Sequence, residues 1–195
     1  MCLFFPRWPS LIRLEHVESH FYLHSHGIRY GAGSKQQSIT AVELQDDEGN
    51  LWLVKEALGE HPCTTGEPIK CDEFVRLEHV ATERNLHTHT VTSPLSGQQE
   101  VSCYEPREEG DSNDNWRVLC SEERGVKPQV WARDKKVTLQ SKNRGAYLHS
   151  HSQHRFTQKN CPNCPIIGQQ EVTCFKEQNP QNLWTVDGGV FIAPS

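Results

Sequence analysis

Three copies of one short unit run the length of this chain, and they restrict it to folds that are assembled from repeats. Arg13-Leu14-Glu15-His16-Val17 returns as Arg76-Leu77-Glu78-His79-Val80 and, more loosely, as Thr138-Leu139-Gln140-Ser141-Lys142. After each comes a second block: Leu23-His24-Ser25-His26, Leu86-His87-Thr88-His89 and Leu148-His149-Ser150-His151, at a spacing of about 62 residues. A third block reads Gln36-Gln37-Ser38-Ile39-Thr40, Gly97-Gln98-Gln99-Glu100-Val101-Ser102-Cys103 and Gly168-Gln169-Gln170-Glu171-Val172-Thr173-Cys174. Each unit closes on a tryptophan: Asn50-Leu51-Trp52, Asp114-Asn115-Trp116 and Asn182-Leu183-Trp184.

Within a unit the apolar residues alternate over short runs broken by turn formers, and no stretch carries a sustained 3.6-residue period with caps. The units are therefore sets of about four short strands, about twelve in all, none able to bury both its faces alone. Threefold closure removes the open edges such strands would otherwise expose. The expected fold is all-β, a β-trefoil occupying residues 10–195 in repeats of about 10–67, 68–131 and 132–195, with 1–9 as an N-terminal segment of no clear targeting character. The recurring tryptophans read as core residues.

Composition excludes several classes. Twenty Lys and Arg stand against 25 Asp and Glu, a net charge of −5 that gives no electrostatic reason to bind nucleic acid or an anionic membrane. Hydrophobic types make up 35% of the chain, and no run approaches the roughly 20 apolar residues of a membrane span. The opening run Met1-Cys2-Leu3-Phe4-Phe5 is shorter than the apolar stretch of a signal peptide, and the chain closes on Pro194-Ser195 without a Lys-Asp-Glu-Leu type retention signal. No Gly-x-Ser-x-Gly elbow or His-Glu-x-x-His helix appears, and Gly31-Ala32-Gly33-Ser34 lacks the helix that a phosphate loop requires, so no enzyme is expected.

The blocks Leu-His-Ser/Thr-His, Gln-Gln-x-Val/Ile-Ser/Thr and Asn-x-Trp together resemble the MIR repeat of protein O-mannosyltransferases, inositol trisphosphate receptors and ryanodine receptors. Three such units with little else are similar to the stromal cell-derived factor 2 family. The segments Arg29–Ser38, Thr92–Val101 and 189–195 match that family's spacing, over about residues 10–195. The resemblance implies a trefoil of the endoplasmic reticulum lumen, without a cofactor. It further implies a subunit that works with a DnaJ-type co-chaperone and the ATPase BiP on unfolded polypeptide clients in the unfolded-protein response. Family members carry a cleavable signal peptide, so the expectation is that this N terminus is an incomplete or alternative gene product. The family's cysteine spacing implies a disulfide between Cys63 and Cys71 across the turn-rich link between the first two units.

The histidine pairs are the leading candidates for chemistry. Residues two apart on a strand share a face, so His24 with His26, His87 with His89 and His149 with His151 each form a paired imidazole patch. Two uses fit: recognition of a mannose-type glycan or a client backbone together with Gln37, Gln99 and Gln170, or a structural tie from one imidazole to a loop carbonyl. In the third unit Cys161-Pro162-Asn163-Cys164 follows His149 and His151, giving a possible two-histidine, two-cysteine zinc set. The same cysteines fit a local disulfide or two reduced thiols, and their spacing alone does not choose. Cys103 and Cys174 sit at equivalent strand positions and read as small buried residues. Cys120 has Cys2 as a conceivable partner. The acidic runs Asp46-Asp47-Glu48 and Asp111-Ser112-Asn113-Asp114 read as hairpin tips, not calcium loops, since no helical pattern flanks them.

Overall fold

The computed structural model describes residues 6, 8–60, 62–104, 110–122, 125 and 128–191. Each unit supplies four strands: β1 (Ser10–His16), β2 (Tyr22–Arg29), β3 (Gln37–Val42) and β4 (Trp52–Glu56) from the first. The second gives β5 (Phe74–His79), β6 (Arg84–Thr92), β7 (Gln99–Tyr104) and β8 (Trp116–Cys120), and the third β9 (Val137–Ser141), β10 (Tyr147–Arg155), β11 (Gln170–Phe175) and β12 (Trp184–Phe191).

Antiparallel pairing runs β1–β4–β5–β8–β9–β12 and back to β1, which closes a six-stranded barrel. The other six strands form three hairpins, β2–β3, β6–β7 and β10–β11. The inner strands β3, β7 and β11 also pair with one another, so the hairpins make a triangular cap. This is a β-trefoil, and closure leaves the barrel strands no free edge. No helix among the described residues is long and apolar enough to cross a membrane.

The alternation seen in the sequence sets the barrel's faces. Along β1 the inward positions Ser10, Ile12, Leu14 and His16 are buried, while the residues between them are half-buried. Trp52, Trp116 and Trp184 fill the core with no exposed area. Each indole Nε1–H donates to the carbonyl of the leucine before the histidine pair: Leu23 at 2.9 Å, Leu86 at 2.9 Å and Leu148 at 3.2 Å. The tryptophan thereby fastens the last strand of its unit to the second.

Two expectations need correction. The acidic runs are not hairpin tips, because β3 and β4 do not pair; each run forms a 3-10 turn leading into the tryptophan strand. Asp47 and Asp111 cap these turns by accepting from Gly49 N and Asn113 N, and Asn179 does the same in the third unit. The second correction concerns the thiols. Cys71 bridges Cys120, 49 residues on, and not Cys63. Backbone pairing explains the choice: Asp72 N donates to Val118 O, which draws the strand carrying Cys120 alongside Cys71. The conceivable partner Cys2 lies outside the described residues, as does most of segment 1–9. Of that segment, Trp8 joins the core and pairs with the inter-unit link through Glu67 O and Gly66 N.

Candidate functional site

The histidine pairs sit where each hairpin leaves the barrel, and their members face different surroundings. The first of each pair is buried: His24 and His87 are 5% exposed and His149 3%. Each is bonded to the residue two before its unit's tryptophan. His24 Nδ1–H donates to Asn50 Oδ1 at 3.0 Å, His87 Nδ1–H donates to Asp114 Oδ1 at 2.7 Å, and Asn182 Nδ2–H donates to His149 Nδ1 at 3.2 Å. The tie thus runs to a side chain of the 3-10 turn and not to a loop carbonyl. Burial depresses the basicity of His24, and of His149 to about 4.

The second members, His26, His89 and His151, are half-buried and make local contacts. His26 Nδ1 accepts from Ile28 N, His151 Nδ1 accepts from Gln153 N, and His89 Nε2 meets Ser102 Oγ at 2.6 Å. Ring centroids within pairs stand 5.3, 4.5 and 6.4 Å apart, so each pair does share a face.

The glutamines lie inward. Gln37 is 1% exposed; its amide donates to Ser25 Oγ and Thr82 Oγ1 and accepts from Arg84 Nη1, all at 2.8 Å. Gln170 is fully buried and accepts from Ser150 Oγ, and Gln99 is half-buried. The preceding glutamines form a ring between units: Ser102 Oγ donates to Gln36 Oε1, Thr173 Oγ1 to Gln98 Oε1 and Thr40 Oγ1 to Gln169 Oε1, at 2.5 to 2.6 Å. That ring escaped the sequence reading, although the doubled Gln-Gln in every unit was its signal.

Two further histidines were also passed over. His16 and His79 have no exposed area, and each reaches across to the 3-10 turn of the preceding unit, His16 to Gln181 O at 3.0 Å and His79 to Gly49 O at 3.1 Å. Burial holds His79 down to about 4. Ser141 stands at this place in the third unit, too short to make the same reach.

Cys161 and Cys164 are joined as a disulfide in the long β10–β11 connection, so their sulfurs are not available as zinc thiolates, and His149 is spent on Asn182. His87, Asp111 and Asp114 bring ligand atoms within 4.8 Å of one another. Those atoms are already used: Asp111 Oδ1 accepts from Asn113 N, and Asp114 accepts from His87, Asn85 and Asp111 N.

An open feature among the described residues lies at the tip of the cap. There the three hairpin loops enclose a cavity of about 530 Å³, lined by apolar side chains including Ile28, Val91, Leu95, Phe156 and Ile166, with the Cys161–Cys164 bridge on one wall. Its volume falls in the range of ligand pockets, roughly 300–1,000 Å³.

Comparison with known proteins matches residues 24–187 to the MIR domain model. Stromal cell-derived factor 2-like protein 1 of Homo sapiens is 39% identical over 95% of this chain and 78% of its own. The crystal structure of the SDF2-like protein from Arabidopsis thaliana superimposes with a TM-score of 0.86 at 33% identity, covering 96% of this chain and 97% of that one. The Saccharomyces cerevisiae protein O-mannosyltransferase Pmt1-Pmt2 complex bound to the sugar donor contains a similar domain. There the TM-score is 0.80 and the identity 33%, over 93% of this chain and 25% of the transferase chain.

Proposed function

Because the chain belongs to the stromal cell-derived factor 2 family of MIR-domain proteins, we propose that it is a non-enzymatic subunit of a quality-control complex in the endoplasmic reticulum lumen. In that complex it joins a DnaJ-type co-chaperone and BiP and handles unfolded secretory polypeptides. The supporting observation is the kinship itself, which spans 95% of the chain. The histidines agree with a scaffold role. Five of them, His16, His24, His79, His87 and His149, fasten 3-10 turns to strands. The domain thus serves as a rigid body whose exposed loops carry the contacts.

A glycan-binding reading draws on the likeness to the O-mannosyltransferase. It ranks second, because His24, His87, His149, Gln37 and Gln170 are buried and already hydrogen-bonded within the protein.

Crosslinking and affinity recovery of the protein expressed in the lumen tests the first reading against the second. Recovery of a J-domain co-chaperone with BiP supports the chaperone subunit. Recovery of glycoproteins alone, released by free mannose, overturns it.

A further inference from the structure

The cavity at the cap originates in a break of the threefold pattern. Glu100 of β7 lies beneath the loop of the first unit and accepts from Ser34 N through both carboxylate oxygens. Glu171 of β11 lies beneath the loop of the second unit and accepts from Leu95 N at 2.8 Å and Ser96 N at 3.0 Å. Both glutamates are almost fully buried, at 1% and 2% exposed. Gly33, at φ +65°, has no Cβ to obstruct Glu100, which lets that carboxylate come up against the loop.

The third position of this series is Ser38 of β3, and the loop it faces is the one from the third unit. Ser38 has no carboxylate, and its hydroxyl donates to Ile28 O. Alignment of the loops through their shared backbone bonds places Ile166 and Ile167 where Leu95 and Ser96 stand. Ser93 N bonds Gln98 O and Gly97 N bonds Ser93 O; Phe156 N bonds Gln169 O and Gly168 N bonds Phe156 O in the same way. Among the described residues the amides of Ile166 and Ile167 have no hydrogen-bond acceptor. Where its sister sites hold a glutamate, this one holds the cavity, lined by Ser38, Phe156, Ile166 and the Cys161–Cys164 wall.

Charge favours the same ligand. The three loops, 27–36, 90–98 and 152–169, contain Arg29, Lys35, Arg155 and Lys159 and no acidic residue, in a chain of net charge −5. Arg29 lines the well itself, whose walls are otherwise mainly apolar.

We propose that this cavity binds an apolar carboxylate: the ligand's carboxylate takes the place of the missing glutamate and accepts from Ile166 N and Ile167 N, and its hydrocarbon body fills the well. Two sources share this chemistry, a free aryl or alkyl carboxylic acid and the C terminus of a polypeptide ending in an apolar residue. The site stands apart from the partner complex proposed above, and its test uses the purified protein alone.

Calorimetric titration with 3-phenylpropanoate and 3-phenylpropanamide on the unaltered protein isolates the carboxylate, and the peptide Gly-Ser-Leu-Phe as free acid and as C-terminal amide separates the two sources. The acid of each pair binds at least about tenfold more tightly than its amide, as two charge-assisted hydrogen bonds require. Ser38→Glu supplies the carboxylate from within and abolishes acid binding while raising the melting temperature. Tighter binding of the peptide acid than of phenylpropanoate assigns the site to polypeptide C termini, and the reverse order assigns it to free acids. Equal affinity for acid and amide, or acid binding that survives in a folded Ser38→Glu variant, overturns the proposal.

Discussion

His87 and Asp114 form a buried imidazole–carboxylate pair at 2.7 Å, at the place where the other two units pair histidine with asparagine. Asp114 has no exposed area and also accepts from Asn85 Nδ2 and Asp111 N, so one side chain holds the second unit's strand, turn and cap together. The other units achieve the same join with a neutral amide. The hydrogen bond recurs in all three units, whereas the negative charge belongs to the second alone.

Asp114→Asn should fold with a loss of no more than about 1 kcal/mol, because the asparagine reproduces the arrangement at Asn182, with Oδ1 accepting from the turn backbone and Nδ2–H donating to the histidine. Asp114→Ala should cost about 2–4 kcal/mol, since three donors, two of them buried, then lose their acceptor. Urea unfolding of the two variants measures the difference.

The two disulfides should contribute unequally. The Cys71–Cys120 bridge spans 49 residues, for which loop-closure entropy gives about 4 kcal/mol, whereas Cys161–Cys164 spans 3 and gives about 1–2 kcal/mol. Cys71→Ser should lower the melting temperature well beyond Cys161→Ser. Thermal unfolding with and without a reductant checks the order.

Acid should destabilise the fold before its carboxylates titrate. Burial keeps His79, His89 and His149 near a pKa of about 4, below the ordinary histidine value of 6.5 that they regain on unfolding. Between those values the unfolded chain binds more protons, so stability is complete above pH 6.5 and falls as the pH drops toward 4. Each of the three adds a slope of up to about 1.4 kcal/mol per pH unit. His79→Gln should flatten the dependence seen in urea unfolding at stepped pH.

Glu171 should govern the order of the second unit's cap loop. Its carboxylate accepts from both Leu95 N and Ser96 N, so Glu171→Ala removes two charge-assisted bonds. Amide exchange at these two residues should speed up by at least about tenfold, with the barrel amides unchanged.

Strand number, closure and the tryptophan core were legible in the sequence because period-2 alternation and triple recurrence both express burial directly. The site was less legible, and particular residues show why. His24 and His26 share a strand face, as expected, but the 3-10 turn carrying Asn50 folds over that face and buries His24, a contact between residues 26 apart. His79 reaches a turn 30 residues before it, and Cys71 finds Cys120 through the register of β8. Local spacing does not encode such long-range meetings. The exchange of Ser38 for the Glu100 and Glu171 of its sister units was visible in the aligned repeats, but its meaning rests on which loop each residue faces, and that requires the cap.

Reconstitution tests the central claim most directly: the purified protein is mixed with a purified lumenal J-domain co-chaperone and followed by size-exclusion chromatography with light scattering. The account predicts one co-eluting complex of defined stoichiometry, which persists when Asp114 is replaced by asparagine and to which BiP adds. Separate elution of the two proteins at every concentration, with the trefoil intact, would contradict it.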